Sequence, residues 1–397
     1  MIIHPFRGIL YNKKKIKNPA DVFSPPYDII SPAEQVAYYR KSPYNVIRLE
    51  LNKASKRDNS KNNVYTRAAG FFDSWMRNGI LERDDKPAIY IYAKTFLHNG
   101  KKRNTFGFIA VAKIGKSRHS HVRPHEHTFT APKEDREKVL DIVGVNLSCI
   151  YTLVEDQGLK INRLLREASK ARPFIDVKFD KVRHRIWKMS GEKELKKLQQ
   201  FMKNKQAFIA DGHHRYEAAA NFRDKNNTPS ANYVMMYFAS IEDKNLTILP
   251  THRVVKKLPR IPENIFDITP VLNKKKMLEA LDKNFGKAHI FGMYADGKFS
   301  ALKLRNSEKL DVELLHDLIL QGAKDIYYTR DAAEAVELVN KKQYKAAFFL
   351  NPTRAEEIKD ASIRGEKMPH KSTYFYPKLL TGLVMRSLKN LGDFIDV

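Results

Sequence analysis

The feature that most restricts this chain is a set of short apolar runs set between helix-patterned segments. Thr105–Ile114 (TFGFIAVAKI), Ser148–Val154, Gln206–Ala210, Tyr233–Ser240 (YVMMYFAS) and Lys345–Leu350 (KAAFFL) have the length and composition of buried strands. None approaches the roughly 18 apolar residues of a membrane-spanning helix. Ala88–Lys94 (AIYIYAK) is another strand, turned into the next by His98-Asn99-Gly100. Between these runs lie helices with their own start and stop signals. Ser31-Pro32-Ala33-Glu34 joins an N-cap serine, a first-turn proline and a capping-box glutamate. Residues 62–79 put Val64, Ala68, Phe71, Phe72 and Trp75 on one face and stop at Gly79. Glu134–Leu140 and His213–Phe222 also read as helices. The mixture predicts an α/β or α+β fold. With 397 residues, a main α/β domain over 1–255 and a C-terminal α/β domain over 256–397 are expected, the break falling near Lys256–Pro262.

Lys and Arg number 72 against 45 Asp and Glu, a net charge of +27. Such an excess attracts phosphate, in nucleic acid, in nucleotides or in small phosphorylated metabolites. The lysines are spread along the whole chain, which also fits a generally lysine-rich protein. The densest stretch, Lys178–Lys205, carries no ladder of aromatics for stacking bases. Cys149 is the one cysteine. It excludes an internal disulfide and a multi-cysteine metal cluster, and its apolar surroundings read as those of a buried structural thiol. Met1–Leu10 lacks the apolar core and cleavage site of a secretion signal, so a cytoplasmic location without membrane partners is expected.

The strongest local signal is Phe208-Ile209-Ala210-Asp211-Gly212-His213-His214-Arg215. An apolar strand ends in Asp-Gly, and a helix starts at once. Free N–H groups and the positive helix end then lie beside two imidazoles and a guanidinium, a good seat for phosphate. A second cluster is Arg123-Pro124-His125-Glu126-His127-Thr128, followed by Lys133 and Arg136. His119, His121, His125 and His127 have alternate spacing suggestive of metal binding, but Pro124 breaks the strand. A transient Mg²⁺ held by carboxylates and substrate phosphates suits the residues better. Lys133 and Arg136, three apart, share one side of a helical turn and could clamp a phosphate. Thr251-His252-Arg253 and Met368-Pro369-His370-Lys371-Ser372-Thr373-Tyr374-Phe375-Tyr376 complete the set; the latter also reads as an aromatic plug. Walker, dinucleotide-binding, zincin and α/β-hydrolase signatures are absent from the sequence.

PFRGILYN (Pro5–Asn12), SPPYDII (Ser24–Ile30), SPYNVIRLEL (Ser42–Leu51), HEHTFTAPKEDR (His125–Arg136), ADGHHRYEAA (Ala210–Ala219), LPTHRVV (Leu249–Val255) and MPHKSTYFYPK (Met368–Lys378) resemble the domain of unknown function 1015 family. The resemblance runs from near Pro5 to near Lys378. It implies a ParB/sulfiredoxin-like core, in a superfamily that includes CTP-binding partition proteins, sulfiredoxins and kinases of free serine. Gly212-His213-His214-Arg215 would there be the phosphate-binding turn. His213 stands where sulfiredoxins have cysteine, and no helix-turn-helix follows the turn.

Together these readings predict phosphoryl transfer to or from a small hydroxyl metabolite, free serine or O-phosphoserine, with a nucleotide such as ATP or ADP as cofactor. Arg215, Lys133, Arg136, His252 and Arg253 would neutralise phosphate, and Lys371, Ser372 and Thr373 would close the site. Asp211 or Glu126 would hold Mg²⁺ or act as base, and His213, His214 and His125 would handle protons. The same groups serve a kinase and a phosphatase. Arg215 is expected to be a solvated pocket residue. The alternative is a ParB-like, nucleotide-responsive DNA-binding protein without catalysis, for which a salt-dependent DNA shift is the test.

Overall fold

The computed structural model describes residues 1–115, 120–126, 128–226, 228–304, 309–369 and 371–389. Its strands and helices form a mixed α/β fold, and the chain divides into two compact units. Unit one comprises Met1–Pro124, Thr128–Leu246 and the chain from Pro377 onward; unit two comprises Thr247–Tyr376 with the short segment 125–127. Where the sequence suggested one border after Val255, the chain leaves unit one at Leu246 and returns to it at Pro377.

The apolar runs of unit one form the middle of a nine-stranded mixed sheet. Its order is Val122–Arg123, Ala207–Asp211, Ile150–Val154, Tyr233–Ser240, Lys101–Lys113, Ile89–His98, Val182–Met189 and Ile175–Phe179, with Ile3–His4 also pairing along Lys101–Lys113. The turn at Asn99 and Gly100 has φ of 49° and 72°, the left-handed conformation that a tight hairpin requires. Strand alternation gives the sheet two different faces. One carries Ile91, Phe108, Ile150, Ile209, Met236 and Phe238, which pack with Leu165, Leu198 and Tyr216 of neighbouring helices into the main core. Tyr90, Tyr92, Lys94, Tyr151, Tyr237 and His184 occupy the other face, all at 2% exposure or less. Such a face is stable only if its polar atoms find partners. Tyr92 Oη is 2.6 Å from His184 Nδ1, Tyr90 Oη donates to Asp84 at 2.6 Å, and Lys94 Nζ donates to the Pro377 carbonyl at 2.9 Å.

The predicted helix at Ser31 forms as Pro32–Lys41 with its capping box intact. The one expected over 62–79 spans Val64–Arg77, capped by Asn63. The helix expected over Glu134–Leu140 starts earlier, as Thr130–Lys138, and continues in wider turns to Val143 before Gly144 at φ 73° ends it. Unit two holds a six-stranded antiparallel sheet ordered Phe266–Val271, Lys298–Leu304, Ile290–Ala295, Ala346–Phe349, His252–Val255 and Tyr327–Thr329. The helices Lys274–Asn284 and Ala332–Asn340 cover it through Met277, Leu281, Ala335 and Val339. Among the described residues no helix is long and apolar enough to cross a membrane.

Candidate functional site

The strand Ala207–Asp211 carries a bulge at its end. Ile209 lies opposite Thr152, whereas Asp211 lies opposite Tyr151, so Ala210 is an extra residue in the ladder. In a regular strand Asp211 would share the core face with Ala207 and Ile209. The bulge moves it to the face that carries Tyr151, Tyr237 and Lys94. Gly212 follows at φ 98°, and the helix His213–Asn226 begins immediately. A Cβ at Gly212 would come within 2.9 Å of Arg215 Nε and Nη2. The guanidinium therefore lies against the glycine, and the turn needs glycine for both its backbone angle and this contact.

Asp211 is held by two cations. Its Oδ2 accepts from Arg215 Nη2 at 2.8 Å and its Oδ1 from Lys378 Nζ at 2.7 Å, with the three side chains only 10–15% exposed. Arg215 Nη1 also donates to Ser148 Oγ at 3.2 Å and to the Cys149 carbonyl. Arg215 Nε is buried and, among the described residues, donates to no acceptor. Burial opposes the Arg215 charge, but Asp211, Asp28, Tyr27 and Glu50 outweigh it and raise its pKa. Arg215 is thus a buried, anchored residue and not the solvated one expected. Neighbouring Lys94 is pushed down to about 7 by burial and then by the Lys378 charge.

A second ionic group adjoins the first through Ser148, whose Oγ donates to Glu50 Oε1 at 3.3 Å. Glu50 pairs with Arg136 Nη1 at 3.2 Å, both side chains being 6% exposed or less. Arg136 also bonds Asp135 and lies 3.9 Å from the centre of the Tyr27 ring. Burial pushes the Tyr27 hydroxyl up to about 12 against the pull of Arg136 and Arg215. Tyr65 Oη donates to Asp135 Oδ1 at 2.8 Å, completing the ring of partners. Glu50, Arg136, Ser148 and Arg215 line a cavity of about 30 Å³, the size of one water.

In the same first turn of the helix, His214 Nε2 accepts the Phe129 backbone N–H at 3.0 Å, so that nitrogen is unprotonated and the proton sits on Nδ1. Thr128 donates to Glu217, and Lys133 Nζ stands 4.0 Å from the same carboxylate. These contacts fasten the start of Thr130–Lys138 against the helix His213–Asn226. His213, its first residue, is 4% exposed. Asp211, His213, His214, Arg215, Lys133 and Arg136 therefore all belong to unit one.

The remaining candidates belong to unit two. His125 is fully buried, and its carbonyl accepts the Met368 N–H at 2.7 Å. The Glu126 carbonyl accepts from Lys367 Nζ at 3.3 Å. Burial pushes the His125 imidazole down to about 3 and that of His252 to about 4. Arg253 is fully buried and donates to the Thr251 and Lys371 carbonyls, and its pKa falls to about 10 through desolvation. Lys371 adopts φ 58°, Ser372 is buried with its carbonyl accepting from Thr353 Oγ1 at 3.0 Å, and Thr373 is half-buried. Of the histidines considered for metal, His119 and His127 lie outside the described residues, as does His370 of the last motif. Among the described residues no three His, Cys, Asp or Glu side chains are grouped to hold a metal. Each Asp211 oxygen already accepts from one cation.

Residue-by-residue reading missed Lys378, Ser148, Lys94 and Glu50. Glu50 and Lys378 did stand inside the quoted NVIRLEL and YFYPK motifs, which was the available signal. Cys149 is buried with its thiol pushed up to about 12 by desolvation, as a structural thiol should be.

The chain belongs to the DUF1015 family of proteins of unknown function, whose family model matches residues 3–321. No curated protein matches it. Among solved structures it is similar to a free serine kinase in complex with AMP, at 11% identity and a TM-score of 0.37, over 67% of this chain and 86% of that one. It is similar to a conserved hypothetical protein from Pyrococcus furiosus at 13% identity and a TM-score of 0.35, over 70% of this chain and 95% of that one. SbnI with C-terminal truncation from Staphylococcus aureus is similar at 10% identity and a TM-score of 0.36, over 69% and 85% of the two chains.

Proposed function

We propose that this protein is a phosphoryl-transfer enzyme for a small hydroxyl metabolite, with free serine and O-phosphoserine as the reacting pair and a nucleotide as the other phosphate carrier. The choice of serine rests on the resemblance of the motifs. The observation that supports phosphate handling is the Arg215 guanidinium, pinned by Asp211 and the Cys149 carbonyl, with a buried Nε–H that finds no acceptor among the described residues. A buried donor without an acceptor costs about 1–3 kcal/mol, which an incoming oxyanion would recover. Lys378 supplies a second cation, and the helix His213–Asn226 turns its positive end toward the same place.

Asp211 acts in this scheme as the residue that positions Arg215 and Lys378, since each of its oxygens accepts from one of them. Arg136 plays a similar part for Glu50 and Tyr27. His213 is the acid/base candidate at the head of the helix, and Lys133 the partly exposed cation able to swing onto a phosphate. Phosphoryl transfer asks chiefly for such positioning and charge neutralisation. The test is calorimetric titration with O-phosphoserine and with ADP. Wild type should bind at least one of them, and Lys378→Met should weaken that binding tenfold or more. Absence of binding to wild type, or unchanged affinity in the variant, overturns the assignment.

A further inference from the structure

Unit one contains a second cleft that shares no lining residue with the Asp211–Arg215 cluster. Its volume is about 650 Å³, within the range of small-molecule sites. The floor is apolar: Tyr11, Ile16 and Phe23 are 6%, 7% and 2% exposed, and Ile175 adjoins them. The rim is cationic, with Lys13 and Lys17 from the loop after strand Ile9–Tyr11 and Arg172 from the segment before strand Ile175–Phe179.

The rim charges are not balanced by ion pairs. Two nearby acids are already engaged: Asp176 is held by Arg183 at 2.6 Å, and Asp84 bonds Lys188. Among the described residues Lys13, Lys17 and Arg172 form no salt bridge. Instead, Lys13 Nζ lies 3.4 Å and Lys188 Nζ 3.6 Å from the centre of the Phe174 ring. Both ammonium groups therefore stand over the one ring. Each gains a cation–π contact, yet the two remain like charges brought together by separate parts of the chain. Burial, Lys188 and Arg172 all depress the Lys13 pKa, with Glu82 opposing them. An apolar floor beneath a crowded cationic rim matches one kind of ligand: an anion with an apolar body.

We propose that this cleft is a binding site for an organic phosphate, its apolar part on Tyr11, Ile16 and Phe23 and its phosphate between Lys13, Lys17 and Arg172. It is independent of the chemistry assigned to Asp211 and Arg215. Phenyl phosphate serves as probe, titrated calorimetrically against the full chain, with inorganic phosphate as the comparison. Wild type should bind phenyl phosphate more tightly than inorganic phosphate, and the affinity should fall as salt rises. Lys13→Ser/Arg172→Ser should weaken it roughly tenfold or more, while Lys378→Met leaves it unchanged. Both substituted side chains are exposed, so the unfolding midpoint should hold and is measured alongside. The proposal is overturned if wild type fails to bind phenyl phosphate, if the double variant binds as well as wild type, or if only Lys378→Met removes binding. The last result would place the probe in the Asp211–Arg215 cluster.

Discussion

Replacing Asp211 by asparagine removes the negative charge between two nearly buried cations. The carboxylate accepts from Arg215 at 2.8 Å and from Lys378 at 2.7 Å. A hydrogen bond to a charged group contributes about 1.5–3 kcal/mol, so the two together come to roughly 3–6 kcal/mol. Asparagine keeps one carbonyl acceptor and so retains about one of them in weakened form. The remaining loss is about 3 kcal/mol, the lower end of the cost of breaking a buried ion pair. The chain has two tryptophans, and both Trp75 and Trp187 lie buried in unit one. Urea unfolding followed by tryptophan fluorescence therefore reports on the unit that contains the change. Asp211→Asn should lower its stability by about 3 kcal/mol, and Lys378→Met by less, because Asp211 then keeps Arg215. In the double variant the two effects should fall short of additive by about 1–2 kcal/mol. A cost below about 1 kcal/mol for Asp211→Asn, or strict additivity, would refute the claim that this carboxylate organises both cations.

Gly212→Ala should cost about 1–3 kcal/mol by the same fluorescence assay, since φ is 98° and the new methyl would meet the Arg215 guanidinium at 2.9 Å; an unchanged midpoint would contradict it. Glu50→Gln should destabilise unit one by about 3 kcal/mol because Arg136 loses a buried partner at 3.2 Å, whereas exposed Glu192→Gln should change little. His184 is held near 3 in the fold by burial, below its ordinary value near 6.5, so the unfolded chain takes up the proton first as pH falls. Its share of stability is present above about pH 6.5 and is lost below it at about 1.4 kcal/mol per pH unit. Between pH 6.5 and 5.0 wild type should therefore lose about 2 kcal/mol more than His184→Gln, and parallel pH profiles would exclude this role.

The strands and helices were largely legible because periodicity and capping are local. Tyr233–Ser240 and the Ser31 capping box came through unchanged, and the Asp-Gly junction announced its own strand-to-helix turn. The extra residue at Ala210 was not legible. A bulge is defined by its partner strand, and nothing in FIADG says that Asp211 will face Tyr151 rather than the core. Lys378 escaped for a similar reason, since 167 positions separate it from the carboxylate it bonds. Arg215 looked solvated because arginine beside histidine and aspartate usually is; its burial follows from Gly212, whose missing side chain lets the guanidinium lie flat. Glu50 sits within an apolar-looking helix turn, and its pairing with Arg136 depends on tertiary packing.

The central claim is that the Asp211–Arg215–Lys378 cluster moves a phosphoryl group. Phosphorus NMR of the full chain with Mg²⁺, nucleotide and either serine or O-phosphoserine tests it most directly, with Arg215→Lys run in parallel. Wild type should transfer phosphate into or out of the O-phosphoserine signal. Arg215→Lys, which keeps charge but loses the planar donor fork, should be slower by about 30- to 1,000-fold, or about 2–4 kcal/mol in the barrier. Static spectra for wild type with every nucleotide tried, or equal rates for wild type and Arg215→Lys, would contradict the account.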